Sequence, residues 1–163
     1  MEIMDRIAKR KSSIEIVGYD PKYRDGVIKV AKEIHAHSIY RDMPLDVDKV
    51  VLQLSLAGKM APDRFFKLAV RGDEVLGGFF GCTLRVFFCD NLTAKDMGWW
   101  VSESSRGGVA AILLLKAFED WARTNGACKS MVGQSGIENI ERTTRLFVHC
   151  GYSITGFNTC KEL

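Results

Sequence analysis

The stretch VSESSRGGVAAILLLKAFEDWARTNGA, Val101 to Ala127, decides how the rest of the chain is read. It opens as the end of a strand, breaks into serine, arginine and glycine, and then turns strongly apolar. Ala111, Leu114, Leu115, Phe118, Trp121 and Ala122 recur at the i, i+3, i+4, i+7 spacing of one helix face. Asn125-Gly126 is a C-terminal stop. Ahead of the helix, Gly107-Gly108 leave backbone N–H groups without helical acceptors and let a ligand approach them closely. That end is also the positive pole of the helix, and Arg106 stands beside it. This combination suits an anion, most often phosphate. A solvated strand-to-helix turn is the plainer alternative.

Outward from this helix the chain alternates between the two periodicities. Ile14 to Tyr19 (IEIVGY) reads as a first strand. Asp20-Pro21 then opens a helix with Val27, Val30, Ala31 and Ile34 on one face. HSIYRDMPLD, His37 to Asp46, is a loop, and Asp46 or Asp48 caps a second helix carrying Val47, Val50, Val51 and Leu54. GKMAPD ends that helix. RFFKLAV is a strand, RGDE a hairpin turn, and VLGGFFGCTLRVFF a longer strand. CDNLTAKD reads as a turn and MGWWVS as a fourth strand. Trp99 and Trp100 are neighbours on that strand, so they face opposite sides of the sheet and both belong to core. After the long helix, CKSMVGQ is a strand. IENIERTTRLFVHC is a helix with Ile137, Ile140, Thr144, Phe147 and Val148 as its apolar positions, and YSITGFNTCKEL closes the chain as one or two strands. The order is that of an α/β protein around one mixed sheet.

At 163 residues, 47% hydrophobic and 26% charged, the chain is expected to form one globular domain with a substantial core. Residues 1–13 are expected to be a basic N-terminal arm, with Lys9, Arg10 and Lys11 beside Arg6, and residues 14–163 the single domain. A net charge of +3 is too small to argue for nucleic acid. The first residues lack the apolar core of a secretory signal, and no apolar run approaches a membrane span. The five cysteines are odd in number and lack C-x-x-C spacing, so reduced thiols in a cytoplasmic protein are expected rather than disulfides or zinc. His35 and His37 stand two apart in a helical stretch and point to different sides, so no metal pair is expected.

Three segments resemble the GNAT superfamily of acyl-CoA-dependent N-acetyltransferases. VSESSRGG is similar to the family's strand and Arg-Gly turn before the CoA-binding helix. AILLLKAFEDWARTNGA is similar to its long helix ending in Ala-x-x-x-Gly, and RLFVHCGYSITGFNTCKEL to its helix, Gly-aromatic pair and final strands. The chain is also similar to short acetyltransferases often encoded by bacteriophages. The resemblance implies a mixed, mostly antiparallel sheet of six to seven strands, flanked by about four helices and splayed between the fourth and fifth strands. It implies acetyl-CoA as cosubstrate and direct attack by an amine on its thioester. Arg106, Gly107, Gly108, Val109, Ala110 and Ala111 would hold the diphosphate, with Val101 pairing main chain to pantetheine. Asn139, one residue from the family's asparagine position (Ile140 here), and Phe147 would line the CoA channel.

The departures are specific. Val109 stands where the family pattern has its middle glycine, and its side chain would crowd the phosphates. Phe147 stands where the family often has a tyrosine that protonates the leaving thiolate, and a phenyl ring cannot do so. Asp96, at the start of the fourth strand, is the candidate general base. Tyr40, Asp42 and Asp46 in the loop between the first two helices are candidates to hold a cationic amine. Glu103 is expected to point away from the phosphate turn, and His149 and Cys150 to be structural. The missing glycine and tyrosine leave a non-catalytic CoA-binding or protein-binding descendant of the fold as the alternative. A small molecule or a protein could supply the amine, and the oligomeric state stays open.

Overall fold

The structure, a computed structural model, describes residues 14–56, 62–133, 139–156 and 158–161. The predicted arm over residues 1–13 and Ile137 of the last helix lie outside the described residues.

Five strands form one sheet in the order of the chain: β1 (Glu15–Val17), β2 (Arg64–Arg71), β3 (Glu74–Arg85), β4 (Leu92–Val101) and β5 (Ala127–Met131). The first three pairings are antiparallel. Arg71 and Glu74 close the β2–β3 hairpin across Gly72, whose φ of +58° suits a residue without Cβ. β4 and β5 are parallel. A parallel neighbour needs a crossover, and the long apolar helix α3 (Ala110–Thr124) supplies it. Helices α1 (Arg24–Ala36) and α2 (Val47–Leu56) lie between β1 and β2 in sequence, and α4 (Ile140–His149) follows β5. Asp20 accepts from the Lys22 N–H at 2.9 Å and starts the turn into α1. Asp46 does the same for α2, taking the Lys49 N–H at 2.9 Å.

The expected sheet of six to seven strands is thus five among the described residues, with one parallel pair. The C-terminal residues 152–156 and 158–161 form no strand. Ser153 to Gly156 are exposed, so their alternation buries nothing. Tyr152 docks, its N–H on the Phe147 carbonyl at 2.9 Å and its hydroxyl at 2.8 Å from Ser130 Oγ. The turn expected over CDNLTAKD is also shorter, because β4 begins at Leu92 and Thr93 and Ala94 are buried. Phe87 and Phe88, expected in β3, lie outside it and are exposed. In α4, Phe147 faces the core while Ile140 and Val148 are exposed.

Neighbouring aromatics divide between the two faces, as a period of two requires. Phe65, Phe79 and Trp99 join Leu114, Leu115 and Phe118 of α3 on one face. Phe66, Phe80 and Trp100 join Val27 and Val30 of α1 and Leu54 of α2 on the other. Both tryptophans are therefore core, on opposite sides. Gly81 is needed beneath α3: a Cβ there would lie 2.5 Å from the Phe118 ring. That close approach seats α3 against β3.

Candidate active site

β4 and β5 run together only briefly. Leu92 pairs with Ala127, Thr93 with Lys129, Ala94 with Ser130 and Lys95 with Met131. On its other edge β4 pairs with β3 to its end, with Phe80 opposite Gly98 and Gly81 opposite Asp96. Met97 is the extra residue of a bulge, which bends and twists the strand locally. From Asp96 to Val101, no strand among the described residues lies on the β5 side of β4. Two side chains hold the opening. Asp96 Oδ1 accepts the Gly133 N–H at 3.1 Å, and Trp99 Nε1 donates to the Gly133 carbonyl at 3.3 Å. The strands therefore part at Asp96, with Gly133 tied by side chains rather than by the ladder. The ladder between the fourth and fifth strands ends here, in the region where the resemblance implies a splay.

Beyond Val101, the Ser102 N–H caps the Leu76 carbonyl at 2.8 Å. Glu103–Ser105 make one 3₁₀ turn, Arg106 is extended, and Gly107 adopts a φ of +86°. Val109 precedes α3 and makes no side-chain cap. The first helical bond runs from the Leu113 N–H to the Val109 carbonyl at 3.0 Å. The N–H groups of Ala110, Ala111 and Ile112 thus open the helix without intrahelical acceptors. Ala110 is buried and Val109 is exposed, so the valine side chain faces solvent.

Glu103 does not point away from this turn. Its Oε1 lies 3.7 Å from Arg106 Nη1 and 3.2 Å from His37 Nε2, and its N–H donates to Glu33 Oε1. The reason is local: Glu103 and Arg106 stand one tight turn apart, and the end of α1 lies across from them. A second arginine reaches the turn from α4. A Cβ on Gly107 would lie 2.7 Å from Arg142 Nη2, so the guanidinium covers this glycine. Arg142 was not among the residues singled out in the sequence; its one signal is an i, i+3 pairing with Arg145.

The remaining candidates are distributed around this centre. Val101 is half-buried at the end of β4. Phe147 is half-buried, its ring 5.4 Å from Trp99 and 5.9 Å from Tyr152. Asn139 has a left-handed φ of 59° before α4 and lines a cleft of about 310 Å³ with Ile140, Glu141, Arg142 and Arg145. Tyr40, Asp42 and Asp46 are exposed. The Tyr40 N–H bonds Ser38 Oγ, Asp42 stands 3.8 Å from Arg41, and Asp46 caps α2. Among the described residues, no hydrogen bond or ion pair joins these three to the opening between β4 and β5. Burial pushes the Asp96 carboxyl above its ordinary range; the Gly133 N–H and the Lys95 charge oppose this more weakly. The Tyr152 hydroxyl, engaged with Ser130, is raised by burial as well. No group of three or more His, Cys, Asp or Glu among the described residues could hold a metal ion. No helix among them is long and apolar enough to cross a membrane.

This arrangement is the fold of the GNAT acetyltransferases. Among solved structures, the chain is similar to AAC(6')-Iy in complex with the bisubstrate analog CoA-S-monomethyl-acetylneamine, with a TM-score of 0.71 and 15% identity over 93% of this chain and 99% of that one. It is similar to glucosamine-6-phosphate N-acetyltransferase from Arabidopsis thaliana, with a TM-score of 0.72 and 11% identity over 92% and 98% of the two chains. It is also similar to a transcriptional regulator from Bacillus halodurans C-125, with a TM-score of 0.73 and 13% identity over 93% and 100%. At these identities the likeness is one of fold. No protein-family profile matches the sequence. No curated protein matches it either.

Proposed function

We propose that this chain transfers an acetyl group from acetyl-CoA to a primary amine. The observation that carries the reading is the parting of β4 from β5 at Asp96, on a strand that leads directly into the open Arg106-Gly107-Gly108 turn of α3. A CoA thioester needs both features at once. Its diphosphate suits uncommitted N–H groups at a helix start. Its amide-bearing arm suits an unpaired strand edge, where main-chain groups lack partners.

The chemistry then follows from the residues. A neutral amine attacks the thioester carbonyl; a C–N bond forms and the C–S bond breaks. Asp96 takes the amine proton, and its burial favours accepting one. Main-chain N–H groups of β4 between Asp96 and Val101 supply the donor for the oxyanion. Phe147 offers no proton, so the sulfur leaves as thiolate, a better leaving group than an alkoxide or an amide anion. Tyr40, Asp42 and Asp46 give the loop before α2 a polar, acidic surface suited to a cationic acceptor.

Calorimetric titration with acetyl-CoA tests the reading, with Arg106→Glu as the diagnostic variant. The substitution removes a charge-assisted donor and sets a second carboxylate beside Glu103. It is expected to weaken binding by about 10–150-fold, the equivalent of roughly 1.5–3 kcal/mol. Arg123→Glu, at the opposite end of α3, is expected to leave binding within twofold. Absence of heat at millimolar acetyl-CoA with the unaltered protein would sink the reading. Saturable heat without transfer to any of a panel of amines would favour a CoA-binding protein without turnover, the reading that Phe147 supports.

A further inference from the structure

The phosphate turn is short of positive charge. Arg106 is its own arginine, yet the Glu103 carboxylate stands 3.7 Å away and offsets it. The charge that remains comes from another element. Arg142 of α4 lays its guanidinium over Gly107. Arg145, one helical turn on, lines the same cleft of about 310 Å³. Among the described residues, no carboxylate lies within ion-pair distance of either arginine, although Glu141 also lines the cleft. Gly107 matters here for a second reason besides its φ, because any side chain would displace the guanidinium.

We infer that Arg142 is the second cation of the phosphate site and makes the chain selective for CoA over phosphate-free thiols, with Arg145 extending the positive surface along the cleft. This rests on the acyl-CoA reading above. A planar guanidinium can bridge two phosphate oxygens in a fixed geometry, and it needs no help from the crowded Arg106–Glu103 pair. Arg142 thereby gives α4 a share in holding the cosubstrate, clasping it against α3.

Binding of CoA, dephospho-CoA and pantetheine to the full chain, followed by NMR titration, separates the outcomes. Arg142→Gln is expected to weaken CoA and dephospho-CoA alike by about 10-fold or more, because both carry the diphosphate, and to leave pantetheine within twofold. Arg142→Lys is expected to recover part of the loss by restoring charge without the planar fork. Unchanged CoA binding, or an equal loss for pantetheine, would overturn the inference. A loss for CoA but not for dephospho-CoA would also overturn it, by moving Arg142 to the 3′-phosphate. If the unaltered protein binds none of the three, the acyl-CoA reading itself falls, and this inference with it. The readout needs no acceptor and no turnover.

Discussion

Asp96→Asn is expected to lower kcat/KM for acetyl transfer by about 10²–10⁴-fold near neutral pH, the usual scale of lost general-base help. The substitution is mild in shape. The amide oxygen can still accept the Gly133 N–H, so the tie across the opening survives. What disappears is the basic oxygen. The pH profiles make the test specific. Burial raises the native pKa of Asp96, so on the proposed function the unaltered protein should lose activity as pH falls through that raised value, and the variant should lack this acid limb. Stability runs the other way. A carboxyl raised above its unfolded pKa stabilises the fold at low pH, and that contribution is lost as pH rises through the folded pKa. Asparagine never ionises, so the variant should be at least as stable as the parent at neutral pH. Rate profiles beside urea unfolding at several pH values would check both arms. Joint loss of activity and stability at neutral pH would mark Asp96 as structural.

Phe79→Ala is the substitution expected to hurt the fold most, by about 3–5 kcal/mol. Phe79 is fully buried. Its ring stacks on Phe118 at 4.3 Å, meets Phe65 edge-on at 5.8 Å and tilts against Trp99 at 5.9 Å. Truncation removes a side chain touching β2, β4 and α3 together, and these rigid neighbours cannot collapse into the space. Domains of this kind are stabilised by only about 5–15 kcal/mol, so the loss takes a large share. Denaturant unfolding should show a lower midpoint at an unchanged slope. Trp99 loses its backing in the same variant, so the Gly133 tie and ligand binding should loosen with it.

What could be read from the sequence was local. In α3, propensity, period and stop signals agree over its whole length, and the adjacent aromatic pairs announced a sheet covered on both faces. The Arg106-Gly107-Gly108 turn was readable because its chemistry lies within a few residues. β4 was cut short because Leu92-Thr93-Ala94-Lys95-Asp96 carries little apolar bulk; Thr93 and Ala94 are buried by what covers them, not by their own size. The opposite error came at the C-terminus, where alternation from Tyr152 onward found no strand to pair with. The contacts that escaped notice all run across elements. Arg142 meets Gly107 from another helix, Glu103 reaches His37 across from α1, and Gly133 is held by Asp96 and Trp99. No spacing within one segment encodes such meetings.

The parted edge of β4 also bears on how such a chain can change over time. Its main-chain N–H and C=O groups are present whatever side chains the strand carries, so long as the residues are not proline. Substitutions along β4 are filtered for packing against the two cores, while the capacity of the edge to pair with a ligand passes through nearly any of them unchanged. A surface built this way leaves little trace in residue identity. A likeness of fold can therefore stand beside low sequence identity and the absence of any matching family profile, as it does here.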